Sequence, residues 1–357
     1  MHRDLSTDNA RGAVVLLVIY FHYYECWHPN CRIRPVERLA TLRTLSADWP
    51  RAGLYMFQSL IIVSGISRSR EKKQFFPWRD VIFYLSWFVF EVFVSHVLRI
   101  SGNSFAPSWF LLDVIFGQTF TIVADALGLS KWLSSGILFA LTVATYVYFP
   151  EMRFTSSIWQ KLDGQFSPRT MAHTFIFILS SWCSQDLIRL RERIQRSRAI
   201  KVTFSAALAF AVYHSIYTTG DIKCSVLFAT ERFSLWTSKR KERCQQEIWF
   251  YSLFSGVLSS ITIVMISPSS PVPLITWLGQ RSLVPYIGHM YFVHNGLKVL
   301  VDKLFQHMSP LGISALHTTI PILLNIVLSC FNFVLVPRTL KKCAPHLFLK
   351  RQSLQDV

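Results

Sequence analysis

The stretch Arg11-Gly12-Ala13-Val14-Val15-Leu16-Leu17-Val18-Ile19-Tyr20-Phe21-His22 sets a cation ahead of an unbroken apolar run that closes on a histidine. No small-residue cleavage site follows it, so the run reads as a retained helix and not as a signal peptide. Nine further apolar blocks follow, giving candidate spans at 11–27, 53–67, 80–98, 107–127, 132–150, 170–185, 201–217, 248–267, 277–297 and 317–336. A membrane crossing takes roughly 20 mostly apolar residues, and only the second and sixth blocks are short for that role. The expected fold is all-α, a polytopic membrane helical bundle of about ten transmembrane helices. Residues 1–340 form one integral-membrane domain and 341–357 a short basic tail, with no internal repeat.

Composition agrees. Of the 357 residues 51% are hydrophobic and 16% charged, where a soluble chain carries about 25% charged residues. The 29 Phe, 12 Tyr and 11 Trp exclude a disordered chain. A net charge of +17 would suggest nucleic acid in a soluble protein. Here the cations fall between apolar blocks, at Arg68, Arg70, Lys72, Lys73 and Arg79, at Arg189 to Lys201, and at Arg338 to Arg351. All three groups lie on one side if every block crosses, which makes that side and both termini cytoplasmic and the partner a lipid bilayer. The run Arg189 to Lys201 reads as a lipid-facing or mobile connector.

Cys26, Cys31, Cys224 and Cys244 fall on the opposite side, and a Cys224–Cys244 disulfide is one expectation there. No Cys/His spacing suggests zinc, so no metal is expected.

Ionisable side chains inside spans are costly and point to function. They are His22, Glu25, Glu91, His96, Asp113, Asp125, His173, His214, His289 and His294. At about 1.5 Å per residue, His22 lies roughly 16 Å from Arg11, and Glu91 as far along its own helix from Asp80. His22, Glu91, Asp113 and His289 can therefore share one layer near the midplane, contributed by four helices. Proton relays and transporter sites have the same content, so the layer alone does not define an enzyme.

Several short elements occur in a telling order. Arg11 precedes His22 by the length of the first block; Gly53 and Phe57 lead to Ser64-Gly65; Trp109-Phe110-Leu111 opens the fourth block; and Leu278-Gly279-Gln280-Arg281-Ser282-Leu283 leads to Tyr286 and His289. Together they resemble the acyltransferase 3 family, membrane-embedded enzymes that transfer acyl groups, often acetyl, to hydroxyls of sugars and other acceptors. The chain departs from that pattern where paired Phe residues would precede Ser64-Gly65. It departs again before the third block, where clustered cations are replaced by Arg79 alone.

The resemblance implies acetyl coenzyme A as acyl donor, entering from the cytoplasmic face, and a carbohydrate or other hydroxyl-bearing acceptor from the opposite side. Acyl transfer to an alcohol needs a base for the hydroxyl proton and donors for the developing oxyanion. A buried neutral imidazole suits the first task, and His22 is the expected base, with Asp113 or Glu91 fixing its tautomer. Arg11, Arg68 and Arg70 are the expected phosphate ligands, with Ser64 and Gly65 beside the donor arm. Trp109, Tyr286 and His289 are the expected acceptor-side residues. A proton-coupled secondary transporter using the same buried His, Asp and Glu is the alternative.

Overall fold

The structure, a computed structural model, describes residues 5–25, 58–70, 78–97, 108–148, 168–217, 257–291 and 319–330, with isolated positions at 312, 315 and 316. Among the described residues there are helices and no strand, in keeping with the all-α expectation. In chain order the helices are α1 (Leu5–Glu25), α2 (Gln58–Arg70), α3 (Arg79–Val97), α4 (Ser108–Ala126), α5 (Lys131–Tyr148), α6 (Pro168–Trp182), α7 (Ser184–Arg196) and α8 (Arg198–Tyr217). They continue with α9 (257–266), α10 (Pro273–Gln280), α11 (Leu283–Tyr291) and α12 (319–330).

Burial follows the helical repeat. On α1 the residues Ala10, Val14, Val15, Val18 and Ile19 form one buried stripe, the spacing of an amphipathic face. Helix α2 is enclosed on nearly every side, with Leu60, Ile61, Ile62, Val63 and Ile66 all buried. It packs against α1, α4, α6 and α7. Helix α6 is the other hub, touching α2, α4, α5 and α7, with Phe177 wholly enclosed at its middle.

Two rungs join α4 to α6. Asp113 meets His173, and one turn on in both helices the Phe177 ring lies 2.6 Å from where a Cβ at Gly117 would sit. The rungs have the same order in both helices, so α4 and α6 run parallel. Helix α1 crosses α10 backbone to backbone, because a Cβ at Gly12 would strike the Ile275 carbonyl and one at Gly279 the Asp8 carbonyl. Small residues at both crossing points permit that approach.

Three sequence expectations change. The single block 277–297 is two helices, since α10 ends at Gln280 and α11 begins at Leu283. Arg281 sits at the break with its guanidinium 4.8 Å from the Trp277 ring centroid and an N–H on the Trp277 carbonyl. It thereby caps a helix end whose carbonyls lack intrahelical partners. The cationic run expected as a connector is α7 and the start of α8. Helix α7 buries Ser184, Arg191 and Ile194 at helical spacing, and its Gln195 donates to the carbonyls of Met265 and Ser267. Helix α1 begins at Leu5, ahead of the expected block, because Ser6, Thr7, Asp8 and Asn9 are buried.

The outer surface is apolar over long stretches. Leu85, Val89 and Phe90 of α3 are exposed, as are Leu133, Phe139 and Leu141 of α5 and Val202 and Phe210 of α8; Trp132 is 89% exposed. The interior holds Asp8, Asn9, Gln58, Asp113, Gln118, His173, His289 and Asn325. Among the described residues no helix is both long enough and apolar enough to cross a membrane. Helices α2, α6, α10 and α11 have 13, 15, 8 and 9 residues, and a crossing takes about 20. The tail 341–357 lies outside the described residues.

Candidate functional site

The centre of the polar interior is an imidazole–carboxylate pair. His173 Nδ1 and Asp113 Oδ2 are 2.6 Å apart, with the side chains 1% and 0% exposed. Each helix delivers its residue from an apolar stripe: Phe110, Leu111 and Val114 flank Asp113, and Ala172, Ile176 and Phe177 flank His173. With Nδ1 bonded to a carboxylate, the other ring nitrogen, Nε2, is the one able to accept a proton in the neutral form. This is the arrangement by which a carboxylate orients an imidazole in acid–base catalysis.

A second imidazole lies on α11. His289 is buried and its Nδ1 is 3.0 Å from the Pro285 carbonyl oxygen. A carbonyl only accepts, so Nδ1 carries the proton and Nε2 the lone pair. Tyr286, one turn earlier, has its ring centroid 6.1 Å from that of His289 and 4.8 Å from that of Phe110 on α4. Phe110 is one turn from Asp113. An aromatic contact between Phe110 and Tyr286 thus joins the helix that carries Asp113 to the helix that carries His289.

At the N-terminal part of α1, Arg11 donates through Nη2 to Ser67 Oγ at 3.0 Å, and Ser67 passes its own proton to the Val63 carbonyl. Asn9, two residues earlier, donates to the carbonyls of Pro268 and Ser270 and accepts from Thr276. Together with Gln195 on α7, these bonds hold the turn between α9 and α10 from two sides.

The expected site residues are distributed as follows. Asp113, expected beside His22, is bonded to His173. Tyr286 and His289 sit together and meet Phe110 of the Trp-Phe-Leu element. Arg11 meets α2 through Ser67, and not through Ser64, whose hydroxyl returns to the Leu60 carbonyl within its own helix. Gly65 was expected to make room for a donor arm. That room is taken by α6, because a Cβ there would meet the Phe177 carbonyl and lie 2.9 Å from Ser180 Cβ. The side chains of His22, Glu91, Arg68, Arg70 and Trp109 lie outside the described residues, as do Cys26, Cys31, Cys224 and Cys244. Cys183 and Cys330 are exposed free thiols. No group of His, Cys, Asp or Glu among the described residues gathers as a metal site would require.

Sequence reasoning noticed His173 but left it out of the central layer, and it missed Ser67 altogether. His173 shares a buried face of α6 with Ile176, Phe177 and Ser180, a helical spacing that the sequence displays. Compared with protein-family models, with curated proteins and with solved structures, the chain matches none.

Proposed function

We propose that this chain is an integral-membrane acyltransferase that moves an acetyl group from acetyl coenzyme A to a hydroxyl of a carbohydrate-like acceptor, with His22 as general base. The observation that carries the reading is the contact of Phe110 with Tyr286. These residues belong to the two elements, Trp-Phe-Leu and Tyr-x-x-His, on which much of the acyltransferase 3 resemblance rests. Their contact brings the two elements together, as a shared site requires.

The lipid setting is supported by the distribution of polarity. Apolar side chains cover much of the outside of α3, α5 and α8 while acids, amides and imidazoles are enclosed. Water opposes that arrangement. In hydrocarbon, apolar side chains outside cost nothing, and polar groups serve best between helices. The parallel course of α4 and α6 fits spans four and six crossing in the same direction.

In the reaction the imidazole takes the acceptor hydroxyl proton as its oxygen attacks the thioester carbonyl. The thiolate of coenzyme A leaves and is protonated, and the acetyl ester departs. Arg11 spends one of its five N–H donors on Ser67 and keeps the rest for donor phosphates, alongside Arg68 and Arg70. The test compares purified protein with H22A in nanodiscs, given radiolabelled acetyl coenzyme A with and without sugars. Thioester loss by the parent and not by the variant is the expected result. Absence of donor binding and turnover in both would sink the proposal.

A second reading, a proton-coupled transporter, is favoured by the break between α10 and α11 at Arg281–Ser282. Discontinuous helices beside buried titratable groups are typical of such proteins. Proton-coupled solute uptake into vesicles, with acetyl coenzyme A untouched, would select it.

A further inference from the structure

Helix α7 links two helix ends on the same side of the bundle. Cys183 alone separates it from α6, and the helical bonds run through that residue, which donates to the Leu179 carbonyl and accepts from the Leu187 N–H. Near its other end Gln195 is bonded to the carbonyls of Met265 and Ser267 at the close of α9. A series of contacts puts both attachments at the end where α1 begins. Gly65 of α2 lies against Ser180 and Ser181 of α6. Ser67, two residues on, accepts from Arg11, and Asn9, two residues before Arg11, donates to the Pro268 carbonyl.

The two sides of α7 differ sharply. Ser184, Arg191 and Ile194 are buried, and Leu187 and Ile188 pack on the core. At about 3.6 residues per turn, Asp186, Arg189, Arg193 and Arg196 form a stripe on the opposite side, and all four are exposed. Arg198, exposed as well, opens α8. Arg189 lies 3.9 Å from Asp186, with both side chains open to solvent, where such a pair holds its partners weakly. Among the described residues Arg193, Arg196 and Arg198 have no carboxylate partner. Apolar side chains are exposed beside these cations, Leu190 on α7 and Ile200 and Val202 at the start of α8.

We propose that Arg189, Arg193, Arg196 and Arg198, at the α7–α8 elbow, dock on the phosphates of anionic phospholipids. A guanidinium fork matches phosphate oxygens, and successive turns of one helix repeat it. A polyanion dissolved in water would satisfy the arginines and leave Leu190, Ile200 and Val202 wet. A bilayer surface takes both, phosphates against the cations and acyl chains against the neighbouring apolar side chains. The proposal rests on the lipid setting argued above and is independent of the acyl-transfer chemistry.

The test reads arginine reactivity toward phenylglyoxal by peptide mass spectrometry. The full chain is held in nanodiscs of phosphatidylcholine alone, or mixed equally with phosphatidylglycerol. Arg189, Arg193, Arg196 and Arg198 are expected to react about fivefold more slowly in the anionic discs, the worth of one cation at a charged membrane surface. Glycerol phosphate added to the neutral discs should leave them reactive, which separates a headgroup in a bilayer from free phosphate. In R193Q/R196Q, which alters exposed side chains alone, Arg189 and Arg198 should lose most of their protection, because the elbow docks as one surface. Equal rates in the two bilayers overturn the proposal, as does equal protection by glycerol phosphate. Undiminished protection in R193Q/R196Q would assign the effect to the general surface potential and overturns it too. A chain that stays dispersed in water without discs, yet is protected by anionic vesicles, keeps this surface and removes the lipid-embedded reading. A chain that needs discs but reacts alike in both keeps that reading and loses the surface.

Discussion

The imidazole of His173 and the carboxylate of Asp113 meet at 2.6 Å between α6 and α4, one turn from the place where the Phe177 ring fills the space over Gly117. The close approach at Gly117 brings the two helices near enough for so short a bond. Both side chains are buried, and the bond compensates each polar group for lost hydration.

Removing either partner therefore takes this bond from a polar group that stays buried. D113L and H173L are each expected to destabilise the protein by about 3 kcal/mol or more. Replacing both with leucine removes the need along with the bond, and the double variant recovers most of the loss. Unfolding midpoints in detergent, arranged as a double-mutant cycle, check this. Simple additivity of the two single losses would show that the pair is not coupled.

The crossing of α1 and α10 makes an equally specific demand. A methyl group at Gly279 would meet the Asp8 carbonyl and the Gly12 nitrogen, and one at Gly12 the Ile275 carbonyl and the Gly279 nitrogen, all of them backbone atoms. G279A and G12A should each cost about 2 kcal/mol or more, since backbone cannot rotate out of the way as a side chain can. Gly136 on α5 is the control, because nothing lies within 4 Å of a Cβ there. G136A should gain about 0.5–1 kcal/mol from the lower entropy of the unfolded chain. Equal effects at the three positions would refute the backbone-to-backbone crossing.

Apolar blocks made the longer helices legible, because burial along α1, α4 and α6 follows the period that the sequence displays. Helix α7 was obscured by its own cations: Arg189, Arg193 and Arg196 dominate the composition, while Leu187, Ile188, Arg191 and Ile194 carry the inward face. The break at Arg281–Ser282 was hidden because apolar residues continue on both sides of it. It becomes intelligible once Gly279 is seen pressed on α1 and Arg281 folded back on Trp277. Within the site, types could be read but partners could not. Asp113 was a buried acid on any reading, yet whether it faced His22 or His173 depended on helix rotation and on the small residue at Gly117, which a linear spacing does not encode.

Asn9 holds the α9–α10 turn through a chain of bonds with a definite direction. Its Nδ2 donates to the Pro268 and Ser270 carbonyls, at 2.7 and 2.9 Å. Its Oδ1 accepts from Thr276, whose hydroxyl in turn accepts the Val272 N–H at 2.8 Å. N9D keeps the shape but presents oxygen to two carbonyls, and is expected to cost about 2 kcal/mol. Exchange of the Val272 amide hydrogen should quicken in N9D and N9A. Q195A frees the carbonyls on the other side of the turn and should leave that amide slow. Uniform quickening in all three would mean that the turn opens as one unit.

Arg11 is fixed at one end of α1 by Ser67 and lies roughly 16 Å along the helix from His22, eleven residues at about 1.5 Å each. On the proposed reading it holds donor phosphates and takes no part at the reacting carbonyl. R11Q should then raise KM for acetyl coenzyme A by about tenfold with kcat little changed, the signature of lost ground-state and transition-state binding alike. S67A removes the hydroxyl that positions the guanidinium and should raise KM by about threefold, with R11Q/S67A no worse than R11Q, because Ser67 acts only through Arg11. Added salt should raise KM in the parent more than in R11Q, since a phosphate contact at the bundle's end is screened. A fall in kcat with KM unchanged would put Arg11 at the reacting centre, which a straight α1 forbids.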